Sequence, residues 1–350
     1  MPAPFVTVAI ACKNDEPRIE ATVSSALAQD WPADRIEVVV ADAMSMDATR
    51  EVLTSLAERD PRVTLLDNPE RTRAAGLNAC IRSARGEVIV RLDPGAACGP
   101  DFVRRCVQAL EDGGADHVDG FARPRGRTFL ERCIAAALRS PLGVDGMGAR
   151  EGSGEGWSEG VQPAAFKRAV FARVGLYDPL AAEDEQGELG RRIAAEGHKP
   201  LRDPELVADF APRASLRQLA RSSFRYGRGR ARTMLKHGRF ASFGPALPLV
   251  WILGEAALAA ASPRRAFPIS MAAYALATGA EAVRVARHEG PLAVPVVWGL
   301  FPILHAAHGA GFAAGLARYV LRPDWQAAER LEDPEQGEHA DGAVAGAAAT

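Results

Sequence analysis

The 350 residues give room for one large domain, or for a domain of about 240 residues with an appendage. A formal charge of −2 argues against a dedicated nucleic-acid binder. Five scattered cysteines (Cys12, Cys80, Cys98, Cys106, Cys133), with no CxxC pairing, indicate neither a zinc site nor a disulfide framework. No basic stretch precedes an apolar core at the N-terminus, so no signal peptide is expected and the first domain is placed in the cytosol.

Strand and helix patterns alternate from the start. A buried strand is predicted over 6–11, a helix over 16–29 beginning at Pro17, a strand over 36–41 and a helix over 48–59. A strand at 63–67, a helix at 72–84, a strand at 87–92 and a helix at 101–112 follow. The alternation implies an α/β fold, a parallel-rich sheet with helices on both faces. After His117-Val118-Asp119-Gly120 the pattern weakens, and seven glycines between 143 and 160 mark a long loop. Helical patterns return at 164–174 and 186–197.

The last third changes character. Three Ala/Leu/Val-rich runs cover 245–262, 266–283 and 291–317, the first two interrupted by Glu255 and Glu281. The third has 27 residues without Lys, Arg, Asp or Glu. As a helix it would reach roughly 40 Å, against about 30 Å of hydrocarbon, so it is the strongest membrane candidate. An Ala-rich soluble hairpin is the other reading of the first two. The tail over 323–350, acidic and then Gly/Ala-rich, reads as disordered.

Two strands end on acids: Val38-Val39-Val40-Ala41-Asp42 and Val88-Ile89-Val90-Arg91-Leu92-Asp93. Ligands of open α/β sheets sit outside the carboxyl ends of the strands, so two acids at one edge suggest a polar-ligand or metal site, although one such Asp is ordinarily a turn former. No GxGxxG follows the first strand, and neither GxxxxGK[ST] nor GxSxG occurs.

What does occur resembles the family 2 glycosyltransferases, of GT-A fold. Cys12-Lys13-Asn14-Asp15-Glu16 is similar to that family's first-strand RNE turn, and Asp42-Ala43-Met44-Ser45-Met46-Asp47-Ala48-Thr49 to its DGxSxDGT. Gly76-Leu77-Asn78-Ala79-Cys80-Ile81 resembles ALNxGI. Gly86-Glu87-Val88-Ile89-Val90-Arg91-Leu92-Asp93 resembles the lead into DxD, and Phe166 to Asp178 resembles FRRxVFExVGxYD. The basic segment 224–233 and the stretch from His305 to Leu316 resemble the succinoglycan-type polysaccharide enzymes, so the likeness covers about 1–322.

The resemblance implies transfer of a sugar from a nucleotide-sugar donor, foremost a UDP-sugar, to a lipid-linked or polysaccharide acceptor at the cytoplasmic membrane face. It implies a donor site of Asn14, Glu16, Asp42, Asp47, Arg73, Asn78, Asp93 and Arg225, with Asp42 reading the base. Surface helix positions remain the other reading of Arg73 and Asn78. Asp93 would approach a divalent cation, Mg²⁺ or Mn²⁺, which favours carboxylate and phosphate oxygens. A carboxylate must also deprotonate the acceptor hydroxyl. The family takes it from an ED that opens a helix continuing ELxxR.

This chain departs from the family at those points. The DxD position reads Asp93-Pro94-Gly95, and alanines 43 and 48 replace two glycines. Around the base the chain reads Glu183-Asp184-Glu185-Gln186-Gly187-Glu188-Leu189. Anchoring on Glu188-Leu189 puts Gln186 where the Asp should stand, whereas a two-residue slip restores Glu183-Asp184. The candidates for the base are Asp184 and Glu185, with Asp184 preferred. A catalytically degenerate homologue that binds a nucleotide sugar or a partner enzyme is the alternative, and a soluble nucleotidyltransferase a third.

From Arg213 to Arg239 there are nine Lys/Arg and no acid. Arg217, Arg221, Arg225, Arg228, Arg232 and Lys236 recur at helical spacing, and beside an anionic leaflet each such cation contributes about 1 kcal/mol. The expected organisation is a GT-A domain over 1–212, a basic amphipathic connector over 213–244, and membrane helices over 245–322.

Overall fold

The computed structural model describes residues 2–143, 163–181, 184–197, 201–238, 244–325 and 329–331. Four parallel strands form the first half of the sheet: β1 (Val6–Cys12), β2 (Ile36–Asp42), β3 (Val63–Asp67) and β4 (Val88–Leu92). The helices α1 (Glu16–Leu27), α2 (Thr49–Arg59) and α3 (Arg73–Ser83) return the chain between them. Alternate strand residues feed two cores. Val6, Val8 and Ile10 pack with Ile19 and Val23 of α1 and with Phe102, Cys106 and Leu110 of α4 (Phe102–Asp112). Ala9, Ala11 and Ala41 face α3 on the other side. Those alanines let α3 settle close: a Cβ on Gly76 would lie 2.9 Å from the Cβ of Ala11.

The second half of the sheet is mixed. It adds β5 (Ala96–Cys98), β6 (His117–Pro124), β7 (Ala164–Lys167) and β8 (Leu201–Phe210), in the order β3-β2-β1-β4-β7-β6-β8-β5. β7 runs antiparallel to both β4 and β6. The helical pattern at 164–174 therefore splits into this strand and α6 (Ala169–Val174). Four residues carry too little periodicity to be told from a helix turn, and pairing with both neighbours decides the strand. α5 (Phe129–Leu138), opened by a Thr128–Glu131 capping box, was not anticipated. α7 (Glu185–Ala195) begins one residue before its predicted start. The glycine-rich loop beyond Gly143, Glu183, and most of the tail lie outside the described residues.

The remaining helices are α8 (Leu216–His237), α9 (Leu247–Ala261), α10 (Ala266–Ala286) and α11 (Ala293–Leu321). α8 and α11 touch backbone to backbone. A Cβ on Gly311 would meet the Phe224 carbonyl oxygen at 1.9 Å, and one on Gly227 the His308 carbonyl at 2.2 Å. Gly227 of the basic segment thus serves close helix packing. The cationic stripe divides along α8. Arg217 and Arg221 are exposed, whereas Arg232 is buried against Asp178 (2.9 Å) and Asp324 (2.7 Å). Lys236 reaches Asp178 (2.7 Å) and Glu188 (2.8 Å). The carboxyl half of α8 is therefore fastened into the α/β domain rather than turned to a surface.

Among the described residues two segments are long and apolar enough to cross a membrane, Gly244–Ala261 and Ala293–Leu321. The middle run is not one of them. α11 buries Val297, Leu300, Phe301 and Leu304 against Cys133, Ile134 and Leu138 of α5 and Leu219 of α8. α9 buries only Glu255, which accepts a hydrogen bond from Ser270 (2.6 Å). Leu247, Val250 and Leu253 of α9 and Ile269, Leu276 and Val283 of α10 are all exposed.

Candidate active site

A cavity of about 560 Å³ opens beyond the carboxyl ends of β1, β2 and β4, with α8 as its far wall. Asp93 and Glu185 line it from the sheet side, Arg73 from the start of α3, and Arg225 and Tyr226 from α8. Two arginines tie the acids together. Arg91 Nη2 lies 3.0 Å from Glu185 Oε1 and 3.3 Å from Asp93 Oδ1. Arg73 Nη1 lies 3.3 Å from Glu185 and 3.6 Å from Asp93. Burial raises the Asp93 pKa, but Arg91 and Arg73 outweigh it and hold the carboxyl below its ordinary range. Arg91 is 1% exposed. Burial alone would depress its pKa; Asp93, Tyr177 and Glu185 raise it instead, so it stays cationic.

A tight turn occupies the position of the second DxD acid. Ala96 N–H donates to the Asp93 carbonyl (2.9 Å), closing a turn with Pro94 and Gly95 at its centre. Gly95 sits at φ +84°, the left-handed conformation that glycine takes after proline in a type II turn. Asp93 is thereby left as the one acid of the motif.

The other donor-site candidates separate. Asp42 is fully buried: its carboxylate accepts from Ser45 Oγ (2.5 Å) and the Ser45 N–H, with Arg50 at 3.4 Å, while Cys12 and Ala43 beside it line the cavity. Asn14, at φ 52°, accepts from Met46 N–H (2.8 Å), and its own N–H donates to Ser45 Oγ (2.8 Å). Asp47 accepts from Thr49 Oγ1 (2.6 Å) and from the Glu16 N–H (3.4 Å). These contacts weave the β1–α1 turn into the β2–α2 turn, and the Glu16 side chain is exposed. Asn78 is 2% exposed and exchanges two hydrogen bonds with the Tyr177 backbone (2.8 and 2.9 Å), outside the cavity lining. Arg73, Asp93, Glu185 and Arg225 are brought together; Asn14, Glu16, Asp42, Asp47 and Asn78 are not in that group.

The start of α7 sends three adjacent side chains three ways. Asp184 is buried with Arg230 (3.2 Å). Glu185 faces the cavity. Gln186 lies beneath it, where its Oε1 accepts from Arg91 (2.9 Å) and the Tyr177 hydroxyl (3.1 Å), and its Nε2 donates to Asp119 (3.3 Å). Burial pushes the Tyr177 hydroxyl up to about 12, keeping it a donor. Arg91, Tyr177 and Arg230 were not singled out as site residues. For Arg91 a signal existed, since a lone Arg within a buried apolar strand needs a partner. No such signal marked the other two.

A mixed sheet that aims acids and arginines into one cleft beyond its strand ends places this protein among the α/β proteins built to hold a charged ligand at the carboxyl edge of the sheet. Residues 7–141 match the model of glycosyl transferase family 2. The chain is 32% identical over 311 residues to succinoglycan biosynthesis protein ExoA of Rhizobium meliloti, covering 87% of this chain and 93% of the relative. It is 20% identical over 246 residues to the dolichyl N-acetyl-alpha-D-glucosaminyl phosphate 3-beta-D-2,3-diacetamido-2,3-dideoxy-beta-D-glucuronosyltransferase of Methanococcus voltae, covering 67% of this chain and 75% of the relative. Among solved structures it is similar to a mannosyltransferase of Pyrobaculum calidifontis in complex with GDP-Man and Mn²⁺, with a TM-score of 0.57, 26% identity, and 89% and 87% of the two chains covered. The chain belongs to the family 2 glycosyltransferases, and its fold is the expected GT-A arrangement.

Proposed function

We propose that this protein transfers a sugar, with inversion, from a nucleoside diphosphate donor to the hydroxyl of a lipid-linked or polysaccharide acceptor, and that Glu185 is the general base. The observation that carries the reading is that Glu185 and Asp93 face one cavity while Asp184 and Gln186 point elsewhere. Gln186 cannot accept a proton near neutral pH. In the reaction the acceptor oxygen attacks the anomeric carbon as Glu185 takes its proton. The bond from that carbon to the phosphate oxygen breaks, and the nucleoside diphosphate leaves. Arg73 and Arg225 offset charge on the leaving diphosphate. The succinoglycan biosynthesis role of the Rhizobium relative and the dolichyl phosphate-linked acceptor of the Methanococcus relative support a saccharide or lipid-linked acceptor.

Among the described residues no group of three His, Cys, Asp or Glu could hold a metal by itself. One cavity-facing carboxylate, Asp93, fits a Mg²⁺ or Mn²⁺ ion that completes its shell with donor phosphate oxygens. Bound there, the ion would neutralise the diphosphate. The Mn²⁺ and GDP-Man of the Pyrobaculum structure support that use, with GDP as the rival to a uridine donor.

We propose membrane attachment through the α9–α10 hairpin, with the catalytic domain on the cytoplasmic side where nucleotide donors are made. Apolar side chains exposed on both helices suit lipid, whereas α11 commits one face to α5 and α8. A thermal-shift screen of UDP- and GDP-sugars, with and without Mn²⁺, tests the donor. Transfer by parent and Glu185→Gln proteins then tests the base. No donor response, or transfer that survives Glu185→Gln, refutes this reading. Loss of transfer in the parent that Gln186→Asp restores would identify a degenerate member.

A further inference from the structure

We propose that Arg230 of α8 is a positioning residue: it clamps Asp184 at the head of α7 and so holds Glu185 against the cavity. The proposal rests on the reading of Glu185 as the base. Asp184 occupies the N-cap position of α7, yet its side chain makes no capping hydrogen bond to the helix. Its Oδ1 instead lies 3.2 Å from Arg230 Nη1, and both side chains are at most 2% exposed. Arg230 is itself braced, donating to the Tyr226 hydroxyl (3.0 Å) with its guanidinium over that ring at 5.0 Å. Tyr226 is part of the cavity wall.

Gly187 supplies the space for this clamp. A Cβ there would fall 2.4 Å from Asp184 Oδ1 and 2.9 Å from Arg230 Nη1. The guanidinium thus approaches α7 where any other side chain would obstruct it. Because Asp184 and Glu185 are adjacent, locking the first fixes the direction of the second. The anchor is firm on its far side too, since α8 is held against α11 at Gly227 and Gly311. A catalytic group displaced by 1 Å loses about 100-fold in rate.

The test uses the full chain in host-cell membranes, with radiolabelled UDP-glucose and GDP-mannose as donor probes and butanol-extractable lipid as acceptor. Arg230→Met should lower kcat by about 100-fold with the donor KM within about twofold, because Arg230 itself is not part of the cavity lining. Arg230→Lys should recover most of the rate. Asp184→Asn placed in the Arg230→Met background should recover about tenfold, because it removes the charge of a buried carboxylate that has lost its Arg230 contact. Melting temperatures of the same proteins identify any variant that fails to fold, and the double and Lys variants then carry the test. An Arg230→Met protein that folds and keeps the parental kcat overturns the proposal. So does an Asp184→Asn protein without transfer in both backgrounds, since Asp184 would then be the base. Glu185→Gln separates the two ideas: if it retains transfer, the base reading fails whatever Arg230 does.

Discussion

Glu188 offers the most direct test of how the α/β domain is joined to its C-terminal helices. Its side chain is 0% exposed and receives Arg192 (2.8 Å), Lys236 (2.8 Å) and His237 (3.2 Å), the last two from α8. Burial raises its pKa, but His237, Arg192 and Lys236 prevail and depress it far below the ordinary carboxylate value. Glu188→Gln removes the charge and leaves the cations facing a neutral amide. Breaking a buried pair from one side costs about 3–5 kcal/mol. At about 2 °C per kcal/mol for a large domain, melting should fall by about 6–10 °C at pH 7. The folded pKa is depressed, so the ionised carboxylate stabilises the fold above the unfolded value of about 4.3. That contribution is lost as pH falls toward the folded pKa. The gap between parent and variant must therefore be widest near neutrality and narrow below about pH 4. Thermal melts of the detergent-solubilised chain from pH 3.5 to 7.5 provide the comparison. A variant melting within about 2 °C of the parent at pH 7, or a gap that widens in acid, would refute the electrostatic account.

Asp93→Asn should abolish whatever part of UDP or GDP binding depends on Mn²⁺, leaving metal-independent binding in place; titration calorimetry with and without the ion reads the difference. Gly311→Leu should separate α8 from α11, because even a Cβ meets the Phe224 carbonyl at 1.9 Å, and should destabilise the chain by several kcal/mol, seen as a lower melting temperature or loss of folded protein. Replacing Leu253 and Leu276 with Glu should release the protein from anionic liposomes in flotation, whereas the same change at exposed Val320 of α11 should not; equal release by both would show that α11 is also inserted.

The first half of the fold was legible because each element carries a full period of its own pattern. β1, β2 and β4 are mainly apolar runs buried on both faces, and α4 buries Phe102, Val103, Cys106, Val107 and Leu110 at helical spacing. The second half lacked that signal. β5 has three residues and β7 four, and β8 contains Pro204, which ordinarily argues against a strand. Their pairings, fixed by residues far away in the chain, make them strands. At the site, the acids were visible as strand ends and motif positions, but their surroundings were not. Nothing local distinguishes Asp42, spent on Ser45, from Asp93, which faces the cavity. Arg232 likewise reads as a member of a surface stripe, and Arg230 only as one more basic residue of the same segment, until Asp178 and Asp184 are placed opposite them.

That misreading has a physical lesson for the domain boundary expected at 212. An amphipathic pattern records which residues share a helix face, and it cannot say whether the cationic face meets lipid or buried acids. In α8 both occur along one helix: Arg217 and Arg221 stay in solvent, and Arg232 and Lys236 neutralise Asp178 and Glu188. Removing everything after residue 212 would take away the α8 partners of Asp178, Asp184 and Glu188 together and uncover Ile134 and Leu138 of α5. Water could then solvate the acids, but the apolar wall that α8 and α11 cover would have no replacement. We therefore expect a chain ended at 212 to aggregate, and one ended at 238 to keep the ionic contacts while still exposing the face that α11 covers. Sedimentation of the two truncated proteins beside the intact chain decides it: a monomeric, cooperatively melting 1–212 fragment would show that α8 is an appendage after all.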